Sequence, residues 1–228
     1  MKQPETKAAS ARGLFHATGK ASRPVQVRHE DGSYGKADAL ERKEDDFYPT
    51  PPEPIRSFLH VEMVRLRQFN RIWDGSVGDG ALTREMEAAG LETFGSDLID
   101  RGAGFEIKSF YDYTRATRPA KATIQNPPFQ ECSWGHGKAR WMVHALEVLE
   151  LEYMALLLPW QFPGAAGMAS FWAAHPPARV YLMRWRIDFT GQGASPMLNA
   201  WWVWDAQHEG ETVLRMLDQV DIRQPALF

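Results

Sequence analysis

Strand-length apolar runs alternate with segments of helical period along most of this chain, and that alternation limits its fold more than any other feature. Arg71-Ile-Trp-Asp74 reads as a strand, Leu82 to Ala89 as a helix stopped by Gly90, and Thr93 to Asp97 as a second strand. Phe105 to Phe110 predicts a weaker third strand and Thr123 to Gln125 a short fourth. Lys138 to Leu149 has helical period, Tyr153 to Leu158 is a buried strand, and Phe171 to Ala174 a short helix. Arg179 to Arg186 and Ala200 to Trp204 read as two late strands, after which only a short polar end is expected. Ahead of the first strand, Ile55, Phe58, Leu59, Met63 and Leu66 recur at helical spacing. They follow Thr50-Pro-Pro-Glu53, whose spacing predicts a cap by Thr50 with Glu53 reaching back. This pattern predicts an α/β fold with a mostly parallel sheet. Ligands of such sheets gather outside the carboxyl ends of the strands, so the residues just after each strand are the ones to inspect.

Composition narrows the classes of function. The chain has 228 residues, 26 Lys+Arg against 29 Asp+Glu, and a formal net charge of -3. A globally basic nucleic-acid binder is excluded, so any grip on phosphates must be local. With 44% hydrophobic residues there is enough apolar material for one substantial core. The single cysteine, Cys132, excludes an internal disulfide framework and an all-cysteine metal site, and suits a reducing compartment. It is expected to be unreactive. No apolar run approaches the ~20 residues of a membrane span. Residues 1–45 carry Lys2, Lys7, Arg12, Lys20, Arg23 and Arg28 against only Glu5 before Glu30. They are expected to form a disordered basic tail, ahead of a single domain over 46–228.

Three of the strand ends carry chemistry. The first runs into Asp74-Gly-Ser-Val-Gly-Asp-Gly80, where glycines let the backbone turn sharply at the start of a helix whose free amides face a ligand. The second ends at Asp97, and a carboxylate there offers two oxygens for a pair of ribose hydroxyls. The fourth strand runs into Asn126-Pro-Pro-Phe129. The Asn126 side-chain oxygen and the Pro127 carbonyl can each accept an N–H of a planar amine. Its nitrogen is then drawn toward tetrahedral geometry, while the Phe129 ring stacks on the base. A cytosine-C5 mechanism is excluded, because it needs a cysteine directly after a proline in this loop, and Cys132 lies beyond it.

Asp74 to Gly80 resembles motif I of the class I S-adenosylmethionine-dependent methyltransferases. Asp46-Phe-Tyr-Pro-Thr-Pro-Pro52 is similar to the segment that closes over the methionine half of the cofactor in amino-methyltransferases. With Asn126 to Phe129 following in order, residues Asp46 to about Asp205 resemble the phage and prophage-type DNA adenine-N6 methyltransferases. The resemblance implies a Rossmann-like class I methyltransferase fold, with a mostly parallel sheet, an antiparallel closing strand and helices on both faces. It implies S-adenosyl-L-methionine as cofactor, no metal, and double-stranded DNA as partner, in the cytoplasm of a bacterial or phage-infected cell. Asn126, Pro127, Pro128 and Phe129 take the catalytic places. Phe47, Tyr48, Thr50, Asp74, Gly75, Ser76, Gly78, Gly80, Asp97, Leu98, Phe110 and Asp112 take the cofactor places, with Thr50 meeting the methionine carboxylate.

Two positions depart from the family pattern. Gly75 stands where a proline usually follows the first acidic residue, and Ser109-Phe110-Tyr111 replaces an Asp-Phe-aliphatic pattern, so either Asp112 meets the cofactor adenine instead or that contact is weaker. Trp160, His136, Arg184 and Arg186 are the candidate substrate contacts, with Arg179 a further candidate for phosphate. Trp201, Trp202, Trp204 and His144 are expected in the core. No separate target-recognition domain fits, so the segments Ser133 to Gly137, Phe162 to Ala174 and Gly191 to Pro196 are expected to read the target. The same chemistry on RNA adenine, cytosine N4 or a protein glutamine, and a silent nucleic-acid-binding module, stay open alongside.

Overall fold

The structure is a computed structural model and describes residues 26–28, 34–36, 49–132, 139–164, 167–189 and 197–221. The chain divides into two units, Met1–Asp46 and Phe47–Phe228. Within the first, β1 (Gln26–Arg28) pairs antiparallel with β2 (Tyr34–Lys36), Val27 opposite Gly35.

The second unit is built on one eight-stranded sheet. In chain order it contains α1 (Pro52–Leu66), β3 (Ile72–Asp74), α2 (Ala81–Ala88), β4 (Thr93–Asp97), β5 (Glu106–Ile107) and β6 (Ala122–Gln125). There follow α3 (Phe129–Cys132), α4 (Arg140–Val143, continued as a π turn over His144–Val148), β7 (Tyr153–Pro159), α5 (Ala169–Ala174), β8 (Arg179–Met183), β9 (Asn199–Asp205) and β10 (Val213–Leu217). The strands lie side by side in the order β10-β8-β9-β7-β6-β3-β4-β5. β5, β4, β3, β6 and β7 are parallel, and β9 runs antiparallel between β7 and β8. This is the mixed sheet of the Rossmann-like class I methyltransferase fold. The third strand is shorter than expected, only Glu106–Ile107. The end of the chain is not merely polar, since β10 pairs in parallel with β8.

Both faces of the sheet are covered, which is why its central strands read as unbroken apolar runs. On β7, Tyr153, Ala155 and Leu157 pack on one side with Phe58, Leu59 and Met63 of α1. Met154, Leu156 and Leu158 pack on the other with Trp141, Met142 and Ala145. On β9 the period of two sends Trp201 and Val203 to the α1 face, and Trp202 and Trp204 to the opposite one. Trp201 stacks on Phe58 at 4.6 Å and donates its indole N–H to the Pro54 carbonyl. All three tryptophans are buried, as their setting in a strand predicts.

Sheet order also fixes where a ligand can sit. From β3 the chain moves to β4 on one side and later to β6 on the other, so the strand order reverses at the β3–β6 boundary. The crevice outside the carboxyl ends of these two strands is the switch point of the sheet.

Candidate active site at the carboxyl edge of the sheet

Four residues predicted from strand ends come together along this edge. In sheet order they are Trp160 after β7, Asn126 after β6, Asp74 at the end of β3 and Asp97 at the end of β4. At the usual strand spacing, β4 and β6 are roughly 10 Å apart, the width of a nucleoside-sized ligand.

Asp74 is 1% exposed. Its Oδ1 accepts the Ser76 amide at 3.2 Å, while its Oδ2 is buried with no partner. Burial pushes this carboxyl up to about 8, opposed by the Ser76 bond and reinforced by Asp97. Asp97 ties down the glycine turn: Oδ2 accepts the Gly78 amide at 2.8 Å and Oδ1 the Ile99 amide at 3.0 Å. Each oxygen keeps a second lone pair. Gly78 and Gly80 adopt φ of 57 and 82, which a side chain would strain. Gly80 ends the turn, and α2 starts at the next residue.

The proline that the family pattern prefers after Asp74 has no room. A Cβ on Gly75 would lie 2.6 Å from the Phe110 ring and 3.1 Å from Gln125 Nε2. Phe110 was expected at the cofactor, but it is 2% exposed, stacked between Trp73 at 4.9 Å and Trp141 at 4.0 Å. Both ring faces are taken, so Phe110 buttresses the Gly75 turn and offers no face to a ligand. Leu98 and Ile107, by contrast, are exposed beside Asp97, and Asp112 is exposed in the 3-10 turn Phe110–Asp112.

The Asn126 loop is held from behind by a buried polar network. Trp141 donates to Gln125 Oε1 at 3.0 Å, Gln125 Nε2 donates to Thr123 Oγ1, and Thr123 donates to the Trp73 carbonyl at 2.6 Å. Ser76 Oγ donates to the Asn126 carbonyl at 3.3 Å, joining the loop to the glycine turn. Pro127 is buried, Pro128 exposed, and Phe129 half-buried as the first residue of α3. Tyr111 donates to Glu131 Oε2 at 2.7 Å and anchors that helix. Cys132 is fully buried, and burial pushes its thiol well up, which fits an inert role.

Thr50 does not cap α1 as its spacing predicts. The cap position is Pro51, with no side-chain bond, and Pro52 and Pro54 remove two of the amides a cap would serve. The Thr50 hydroxyl instead accepts the Asn126 Nδ2–H at 3.0 Å. Asn126 Oδ1 is buried without a partner.

Trp160 is 36% exposed and stacks on Trp202 at 5.9 Å. Arg184 and Arg186 follow β8, three strand positions from β6, and Arg184 pairs with Asp218 at 2.9 Å. Arg179 lies at the opposite edge, bound by Glu62 and Asp205, so it is not available to phosphate. Phe47, Tyr48 and His136 lie outside the described residues, as do Ser133 to Gly137 and Gly191 to Pro196. One residue was missed. Asn199 is 1% exposed at this edge, opposite Pro159, and neither its Oδ1 nor its Nδ2 has a partner. Because β9 is antiparallel, its first residue, not its last, reaches the ligand edge.

No protein-family model matches this sequence, and no curated protein matches it. Solved structures do. A candidate RNA methyltransferase from Pyrococcus horikoshii superposes with a TM-score of 0.53 at 13% identity, over 70% of this chain and 86% of that one. A candidate class I S-adenosylmethionine-dependent methyltransferase from Listeria monocytogenes gives 0.52 at 12% identity, over 78% and 68%. The modification subunit of a candidate type I restriction enzyme from Vibrio vulnificus gives 0.52 at 12% identity, over 82% of this chain and 50% of that one. The fold is therefore that of class I methyltransferases.

Proposed function

We propose that this protein is an S-adenosylmethionine-dependent methyltransferase acting on the exocyclic N6 amine of adenine in DNA. One observation carries the reading: at the switch point of a methyltransferase fold, in an Asn-Pro-Pro-Phe turn, the Asn126 amide oxygen is buried with no partner. Buried polar atoms are almost always paired, so an unpaired one in a crevice is held for a ligand.

The residues fit the cofactor. Asp74 Oδ2 is a second unpaired oxygen, and a sulfonium or ammonium charge beside it would favour release of the proton that burial holds on this carboxyl. Asp97 has lone pairs left for ribose hydroxyls, Leu98 and Ile107 are exposed beside it for the adenine, and exposed Asp112 is assigned to the same ligand. Gly75, Ser76, Gly78 and Gly80 bring the backbone close, with Phe47 and Tyr48 assigned to the walls of the methionine half. When bound, the cofactor supplies an electrophilic methyl group. The chain supplies the orientation. Asn126 Oδ1 accepts one amine N–H and the Pro127 carbonyl the other, which localises the nitrogen lone pair and stabilises the positive charge that grows on it. Pro128 stiffens the turn. Phe129 stacks on the everted base, Trp160 and His136 line its approach, and Arg184 and Arg186 meet the phosphates. Residues 1–45 act as a basic arm on the backbone, and 46–228 as the catalytic domain.

The test is transfer of a radiolabelled methyl group to DNA, RNA and protein offered separately, followed by nucleoside analysis of the labelled product. N6-methyladenine from DNA is expected. Label in RNA, in N4-methylcytosine or in a protein amide would move the chemistry to that substrate. No transfer to any of them would overturn the reading.

A further inference from the structure

We infer that Thr50 is a positioning residue that sets the side-chain amide of Asn126 and thereby makes substrate engagement depend on cofactor loading; this rests on the methyltransferase reading above. An asparagine amide has two faces of opposite sense, an oxygen that accepts and an NH2 that donates. Only one orientation can serve an amine substrate. With Oδ1 toward the crevice, Asn126 accepts a substrate N–H. With Nδ2 there, two sets of donors face each other.

Here Nδ2 is engaged as donor to Thr50 Oγ1 at 3.0 Å, and Oδ1 is left buried and unpaired. The contact joins residues 76 positions apart in sequence, so chain proximity does not impose it. Thr50 is itself 8% exposed, and the extended backbone of Pro51 and the start of α1 at Pro52 hold its place.

A threonine hydroxyl has one proton and two lone pairs. It can donate to Asn126 Oδ1 or accept from Nδ2, and where its own proton goes decides which. An anionic acceptor beside Thr50 draws that proton away, commits Oγ1 to accepting and locks the amide in the productive orientation. With the cofactor held as proposed above, its methionine carboxylate would be such an acceptor. Thr50 therefore links the two ligands: cofactor binding prepares Asn126 for the amine, and by reciprocity an engaged amine tightens the cofactor.

The test compares Thr50→Val, which keeps the shape and removes the hydroxyl, with Thr50→Ser, which keeps the hydroxyl. At saturating S-adenosylmethionine, Thr50→Val should lower kcat roughly tenfold or more, the worth of a lost hydrogen bond to a group that must be oriented. Thr50→Ser should restore most of it. The second readout is linkage. S-adenosylhomocysteine, which carries the same carboxylate, should tighten binding of an adenine-containing duplex by the wild type and not by Thr50→Val. Thr50→Ala, checked for folding by circular dichroism, serves if the valine variant does not fold.

Wild-type kcat in the hydroxyl-less variant, or undiminished linkage in it, would overturn the inference. Asn126→Ala separates this from failure of the parent reading. If Asn126→Ala turns over like the wild type, the methyltransferase assignment of the loop fails; if it is impaired while Thr50→Val is not, only the role of Thr50 fails.

Discussion

The two ends of the sheet treat buried polar groups in opposite ways. At the amino edge, Glu62 accepts Arg179 Nε at 2.7 Å and Tyr153 at 3.0 Å, and also takes the Tyr181 hydroxyl. Asp205 accepts Arg65 and Arg179, each at 2.9 Å. A cleft opens here, lined by Glu62, Arg65, Arg179, Asp205 and Arg215, but none of these five leaves a buried polar atom unpaired. At the carboxyl edge, Asp74 Oδ2, Asn126 Oδ1 and both amide atoms of Asn199 are buried and unpaired. An unpaired buried group costs about 1–3 kcal/mol, so a fold keeps several together only where something else completes them. A concave surface alone does not mark a site; unsatisfied polarity at a switch point does.

The contrast can be broken from either side. Glu62→Ala leaves Arg179 with half its partners and three polar groups short of an acceptor. It should lower stability by about 3–5 kcal/mol, or a fall in Tm of roughly 10 °C. Methyl transfer per folded molecule should stay near that of the wild type. Asn126→Ala should do the reverse. Turnover should drop about 10²–10³-fold, the usual loss of one oriented group at a reacting centre, with cofactor affinity and Tm little changed.

Asp74 offers a test by pH. Its folded carboxyl is raised from 3.8 to about 8. Between those values the folded state holds a proton that the unfolded state has released. Stability from this group is therefore complete below about 4 and is lost as pH rises toward 8, at about 1.4 kcal/mol per pH unit. Asp74→Asn should flatten that part of the denaturation-versus-pH curve; an unchanged slope would mean that another group titrates there. The smallest effect belongs to residues 1–45. Their deletion should weaken DNA binding at low salt and reduce the salt dependence, with little change at high salt. Equal binding at every salt concentration would make them passive.

The same contrast explains what could be read from the sequence. Strand-end residues after parallel strands, Asp74, Asp97 and Asn126, were legible because sheet topology places every such residue at one edge. Asn199 was not, because its strand runs the other way and nothing local announces that. β10 was missed because Val213 to Met216 are exposed and show no inward alternation. Arg179 reads as a surface cation until Glu62 and Asp205, 117 and 26 residues away, are brought to it. Phe110 as a cofactor contact and Thr50 as a helix cap failed for the same reason: a stacking partner and a hydrogen-bond partner far along the chain override the local pattern. Gly75 was visible only as a departure, and the ring packed against it supplies the cause.

Titration calorimetry with S-adenosylmethionine tests the difference between the edges most directly. It should be run on the wild type, on Asp97→Ala at the carboxyl edge and on Arg215→Ala at the amino-edge cleft. Saturable binding by the wild type is expected, with affinity lost or strongly weakened in Asp97→Ala and unchanged in Arg215→Ala. No binding by the wild type, or equal weakening in the two variants, would contradict the assignment of the carboxyl edge as the cofactor site.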